Sequence, residues 1–153
     1  MLATSTDRDL ELEITVRPLQ GPDLGNGFLE VIRSFRPCEL TLDAAGQVLR
    51  ERTRRGITTF VAENQGRVVG TAALLVDHKF IHSGGKVGIV EDVIVLPDYQ
   101  GRGVGRLLMA KTQQRAVELG CYKVCLYCSE ELIPYYERLG FYHTDAFLRH
   151  DLS

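Results

Sequence analysis

The residues best suited to chemistry sit in one short stretch. After the apolar run "EDVIVL", which ends at Leu96, the chain reads "DYQGRGVGR" from Asp98 to Arg106, with glycines at 101, 103 and 105. A glycine-rich turn between a strand-like and a helix-like segment can hold phosphate, because the free N–H groups of the first helical turn converge and the helix dipole favours an anion. Gly101, Gly103 and Gly105 carry no Cβ, so the main chain there can approach a ligand closely. The same glycines also suit a tight strand-to-helix turn with no ligand. Their spacing narrows the choice of nucleotide. The chain has no G-x-x-x-x-G-K-[ST] run, which argues against ATP or GTP, and Arg106 stands where a dinucleotide fingerprint starting at Gly101 would need its last glycine. Just upstream, Glu91 and Asp92 interrupt the β-branched run "VGIVEDVIVL". Carboxylates are costly to bury without partners, so an acidic pair in such a run points to a site. On a regular strand neighbouring side chains face opposite ways, so one of the two is expected to face a given pocket.

A second constellation competes with the first. Cys121, Cys125 and Cys128 have the spacing C-x3-C-x2-C, with Tyr127 before the last, and this resembles the iron–sulfur motif of radical S-adenosylmethionine enzymes. Two of the thiols fall in the β-patterned "YKVCLYC", where a straight strand cannot gather ligands around one cluster, and the chain is short for the partial barrel those enzymes use. Adding Cys38 gives no familiar zinc spacing. No metal is expected; the thiols are read as reduced and mostly buried.

The elements that must position these residues follow from periodicity. Residues 1–10 are polar and read as a loose, flexible segment, with a single domain over 11–153. "LEITVRPL" alternates as a first strand ended by Pro18, and Asp23 reads as the cap of a helix carrying Phe28, Leu29, Val31, Ile32 and Phe35. Thr41 or Asp43 caps a second helix through the basic "RERTRRG". "TTFVAEN" and "RVVGTAALLVD" form a hairpin around Gln65-Gly66, and Val87 to Leu96 is a long strand. A third helix runs from about Val104 to Leu119 with Gly120 just past its end. "YKVCLYC" is a further strand, Pro134 opens a short helix, and "FYHTDAFLRHDL" reads as a last strand or hairpin arm. The sum is one α/β or α+β layer architecture, a mixed sheet with helices on both faces.

Bulk properties exclude several classes of partner. The chain has 153 residues, with 18 Lys+Arg against 20 Asp+Glu and a net charge of −2, so it has no overall basic footprint for nucleic acid. No apolar run reaches the roughly 18–20 residues a membrane span needs, and the N-terminus lacks a signal-peptide centre. A soluble, cytoplasmic protein is expected.

Gln100-Gly101-Arg102-Gly103-Val104-Gly105 resembles the Q/R-x-x-G-x-G/A signature of the GNAT superfamily of acetyl-CoA-dependent N-acetyltransferases. "RPL…DL…GFLEVI", "HKFIHSGGKVG", "VEDVIV", "GCYKV" and "YYERLGF" are similar, in order, to segments of glucosamine-6-phosphate N-acetyltransferases, from about Val16 to Arg149. The resemblance implies a mostly antiparallel sheet and acetyl-CoA as co-substrate. It places the pantetheine arm along the backbone of Val93, Ile94 and Val95 and the phosphates over Gln100 to Arg106, where Arg102 and Arg106 add charge. It assigns Glu91 and Asp92 to the amino sugar, one of them orienting the amine while its proton leaves through water or the Leu126 carbonyl. Tyr136 matches a tyrosine beside the coenzyme sulfur, where a phenol can protonate the thiolate. Lys79 and His82 match sugar-phosphate contacts, and Arg149 matches an arginine supplied across a dimer interface, which implies a homodimer.

Two positions depart from that family. Tyr127 stands where it carries Asp or Glu against the sugar, and Leu132 replaces an asparagine typical near the coenzyme. A neutral phenol cannot replace a carboxylate as a charged acceptor. The departures leave open another small amine or a protein N-terminus as acceptor, or a non-catalytic acyl-CoA sensor.

Overall fold

The computed structural model describes residues 12–153, so the loose segment expected over 1–10 lies outside the described residues. Five strands form one sheet in sequence order: β1 (Ile14–Pro18), β2 (Thr58–Asn64), β3 (Arg67–His78), β4 (Lys86–Val95) and β5 (Cys121–Cys125). The first four are antiparallel neighbours, and β5 runs parallel to β4. Parallel neighbours need a crossover, supplied here by α3 (Val104–Glu118). The β2–β3 hairpin turns at Gln65 and Gly66, whose φ values of 49° and 81° are those of a primed turn matched to strand twist.

Helices cover both faces, as expected. On one side α1 (Phe28–Phe35) and α2 (Leu42–Arg54) pack their apolar stripes, with Val31 buried against Val61, Val68 and Ile94. On the other, α3 lays Val104 and Leu108 on Phe60, Ala62, Val69 and Ala72, and Met109 and Ala116 on Leu74 and Val90. Each such side chain removed from water contributes about 1.5–3 kcal/mol. α3 ends where Gly120 adopts φ 77°, the left-handed residue expected past its end.

Three expectations fail here. Asp23 does not cap α1: it sits in a 3₁₀ turn (Gly21–Gly25), where its carboxylate accepts from the Gln20 N–H and forms a bidentate pair with Arg17 at 2.7 and 2.8 Å. α1 instead starts after Gly27, at φ 104°, where a Cβ would lie 2.4 Å from the Val68 carbonyl oxygen. The second cap holds, because Thr41 Oγ1 accepts from the Ala44 N–H at 3.2 Å. The tail from Phe141 to Ser153 forms no strand. Its aromatic and aliphatic residues favour a sheet, but an isolated strand has no neighbour to satisfy its backbone. Finally, the thiols are not mostly buried: Cys125 and Cys128 are exposed, and all four cysteines are free.

Candidate active site

The site is built around a break in β4. Along β3 Thr71 and Ala73 are two positions apart, while their partners Ile94 and Glu91 on β4 are three apart, so β4 carries one extra residue. Asp92, with φ 53°, takes up the extra residue. The bulge interrupts the regular alternation of β4 at the acidic pair. Val90 and Val93 now pack in the same core cluster beneath α3, with both acids in the interval between them, while Ile94 turns toward α1. Asp92 lines a cavity of about 150 Å³ between the sheet and α1–α2, together with Phe28, Ile32, Arg52, Thr59, Thr71 and others. Glu91 accepts a 3.0 Å hydrogen bond from Tyr127 Oη.

β4 also loses a neighbour at this point. The β4–β5 pairing covers Lys86–Cys121 through Ile89–Cys125 and then stops, although β4 continues to Val95. Among the described residues, Val93, Ile94 and Val95 therefore have β3 on one side only, leaving a strand edge that an extended chain can join. That edge leads directly into the glycine turn.

Gly101 and Gly103 have φ of 72° and 84°, and Gly103 immediately precedes the first turn of α3. Among the described residues, no atom beyond the adjacent residues lies within 4 Å of where a Cβ on Gly101 would be, and the nearest to one on Gly103 is Arg106 Nη2 at 3.9 Å. The turn is open, and a guanidinium lies beside it. The Arg102 guanidinium lies 6.0 Å from the centre of the Tyr99 ring. Gln100 braces the corner, donating from Nε2 to the Val95 carbonyl at 2.9 Å. Gly105 has a different reason to be glycine: its Cβ would stand 2.6 Å from Tyr135 Oη, so it makes room for a side chain rather than a ligand. The Leu107 N–H bonds the carbonyl of Gly103 just ahead of α3, and the N–H groups before it are the donors that a helix start leaves without an intrahelical partner.

Tyr136 lies in α4 (Ile133–Glu137), 8% exposed, packed edge-on against Tyr135 and Phe141. Burial pushes its phenol up to about 12, with Tyr135 and Cys128 adding to the effect. The ring stays protonated throughout the neutral range and can act as a donor. No side-chain hydrogen bond engages its hydroxyl among the described residues, which leaves it available as a donor.

Each residue expected at the sugar phosphate already has a partner, and Lys79 and His82 both lie beside Tyr122. Lys79 pairs with Asp77, a contact that raises its ammonium above the ordinary value. His82 lies in a one-turn segment (Ile81–Gly84), where it, Ser83 and Gly84 all have positive φ, and its ring meets Tyr122 at 4.2 Å. Arg149 pairs with Asp151 at 2.6 Å in the C-terminal tail. The structure thus joins Glu91 to Tyr127, and Asp92 to the α1–α2 cavity, while Lys79, His82 and Arg149 each have a partner of their own. Burial raises the Cys121 and Cys128 thiols, so they are not activated nucleophiles, and no group of three or more potential ligands gathers for a metal among the described residues.

Sequence reasoning missed Arg52, whose Nε donates to Thr59 Oγ1 at 3.3 Å in the cavity that Asp92 also lines; among the four arginines of that run nothing sets it apart. It also missed Tyr135, whose position at Gly105 depends on tertiary packing. A larger hollow of about 380 Å³ lies beside Glu30, Arg33 and Arg67 but contains none of these acids, tyrosines or turn glycines.

A sheet whose fourth strand bulges, parts from the fifth and runs into a glycine-opened helix is the frame of an acyltransferase site. Residues 28–141 match the acetyltransferase (GNAT) family, to which the chain belongs. It is 43% identical over 103 residues to the glucosamine 6-phosphate N-acetyltransferase of Trypanosoma brucei brucei, covering 66% of this chain and 70% of that protein. It is 35% identical over 135 residues to the probable glucosamine 6-phosphate N-acetyltransferase 2 of Oryza sativa subsp. japonica, covering 84% and 81%. The crystal structure of glucosamine-6-phosphate N-acetyltransferase from Arabidopsis thaliana superposes with a TM-score of 0.88 at 25% identity, covering 92% of this chain and 99% of that one.

Proposed function

We propose that this chain transfers the acetyl group of acetyl-CoA directly to the amine of glucosamine 6-phosphate. The observation that carries the reading is the continuous path from the unpaired edge of Val93–Val95 to the open turn at Gly101 and Gly103. Its chemistry fits a pantetheine arm ending in a diphosphate: amide donors along an extended edge, then convergent N–H groups with Arg106 beside them. The coenzyme supplies an acetyl thioester. The chain's own residues do the rest. β4 holds the thioester carbonyl where the edge amides can polarise it, and Glu91 and Asp92 stand at the bulge to orient the amine. As nitrogen bonds to the acetyl carbon and the carbon–sulfur bond breaks, Tyr136 gives its proton to the sulfur. The acceptor ammonium loses one proton to water before it attacks, the second leaves through water or the Leu126 carbonyl as the amide forms, and a proton from solvent restores Tyr136.

Lys79, His82 and Arg149 are assigned to the sugar phosphate, with Arg149 supplied by the second chain of a homodimer. Support for the dimer comes from a tail that carries Tyr142, Phe147, Leu148 and Leu152 exposed and without regular structure. No described helix is long and apolar enough to cross a membrane, and four free thiols suit the reducing cytoplasm.

Thiol release from acetyl-CoA, followed with and without glucosamine 6-phosphate, tests the reading. Sugar-dependent release is expected. Tight coenzyme binding with no stimulation would favour another acceptor amine or a non-catalytic acyl-CoA sensor.

A further inference from the structure

We propose that Tyr127 and Phe147 form the wall against which the acceptor lies, Tyr127 fixing Glu91 with its hydroxyl and selecting a ring-shaped cationic amine with its face. The inference rests on the acetyltransferase reading and adds the residue that sets acceptor choice and orientation. Tyr127 lies two residues past the end of β5, just beyond the point where β5 leaves β4. Its hydroxyl reaches back across the gap to Glu91 Oε1 at 3.0 Å, one residue from the bulge. The side chain therefore spans the gap at the end away from the glycine turn, where an acceptor must lie to meet a thioester entering along Val93–Val95.

Phe147 stacks on this ring nearly parallel, with centroids 4.4 Å apart and planes 11° off. One face of Tyr127 is thus covered while the side chain remains 54% exposed, leaving an aromatic surface beside the acid. The face of an aromatic ring is electron-rich. It attracts an ammonium and the polarised C–H bonds of a pyranose, and repels a phosphate. An amino-sugar phosphate is therefore turned with its nitrogen toward Glu91 and its anionic end away from the ring. The phenol's ionisation is pushed up, chiefly by its hydrogen bond to Glu91, so it adds no second negative charge beside that carboxylate. Where the resembling family uses an acid, this chain uses shape and a neutral donor. The bond to Oε1 also limits the rotation of Glu91 and leaves Oε2 available for the amine.

The stack has a further effect. It is a ring contact that fastens the otherwise irregular tail near the site, two residues before Arg149. Tyr127 is accordingly a positioning residue for both Glu91 and the tail.

The test uses the full chain at saturating acetyl-CoA with glucosamine 6-phosphate, glucosamine and an open-chain amine phosphate. Tyr127→Phe keeps the ring and loses the tether, so kcat should fall about fivefold on every amine used, with acceptor KM within about twofold of wild type. Phe147→Leu keeps the tether, so acceptor KM for the ring amines should rise about fivefold with kcat retained, and the preference for ring over open-chain amine should shrink. An unchanged KM for acetyl-CoA in both variants separates these effects from misfolding. If wild type acetylates the open-chain amine best, the amino-sugar reading falls, and so does the ring preference proposed here. If wild type uses glucosamine 6-phosphate but both variants match it in kcat and KM, the Tyr127 proposal alone is overturned. A wild-type chain that acetylates none of the amines overturns both.

Discussion

Tyr136 combines near-complete burial with a hydroxyl that stays protonated to about 12. That is the state a donor to a departing thiolate needs at neutral pH. Tyr136→Phe should lower kcat at least about a hundredfold, in the range for loss of a general acid, while the dissociation constant for acetyl-CoA, measured calorimetrically, stays near wild type. Because the folded phenol is raised above its ordinary value of 10, it favours the folded state below that pH, and the benefit is lost as pH climbs toward about 12. Little of this was legible in the sequence. "PYYERLGF" holds two adjacent tyrosines, and only packing distinguishes them: Tyr136 faces the core with Phe141, while Tyr135 sends its hydroxyl to the gap left by Gly105. The acidic pair was legible as a site, but its geometry was not. Asp tolerates positive φ better than most residues, yet "VGIVEDVIVL" contains no mark of an inserted residue.

Among the elements, the helices, the hairpin and the glycine turn follow directly from apolar spacing and turn residues, which depend on local chemistry. The last strand and the Asp23 cap depended on partners distant in the chain, and the local signal misled. Asp23 is 5% exposed and serves Arg17, which also bonds Glu63 at 2.9 Å, so the pair ties β1, β2 and the 3₁₀ turn that leads into α1. Asp23→Asn removes the charge from one partner while Arg17 keeps Glu63, and should lower stability by roughly 1.5 kcal/mol at neutral pH, measured by urea unfolding. Hydrogen bonding from Arg17 holds the Asp23 carboxyl below its ordinary value, so this stabilisation is complete above about pH 4 and fades as pH falls through the depressed value. The variant and wild type should therefore converge in acid; an equal gap at every pH would assign the loss to packing instead.

At the scale of the whole molecule, the tail decides whether one chain is sufficient. If Arg149 serves the partner's site, mixing the inactive Tyr136→Phe and Arg149→Ala chains should recover activity that neither shows alone, and no recovery would confine Arg149 to its own chain. The bulged strand has one more consequence. In the proposed reading the thioester lies along the edge that β5 abandons and the acceptor lies against Tyr127 and Glu91 at the end of the same gap away from the glycine turn, so both substrates can be inside together. Burial raises the Cys128 thiol beside Tyr136, so it offers no activated nucleophile on which the acetyl group would stop. Double-reciprocal velocity lines at several acceptor concentrations should then intersect, whereas a parallel set would mean that the first product departs before the second substrate arrives.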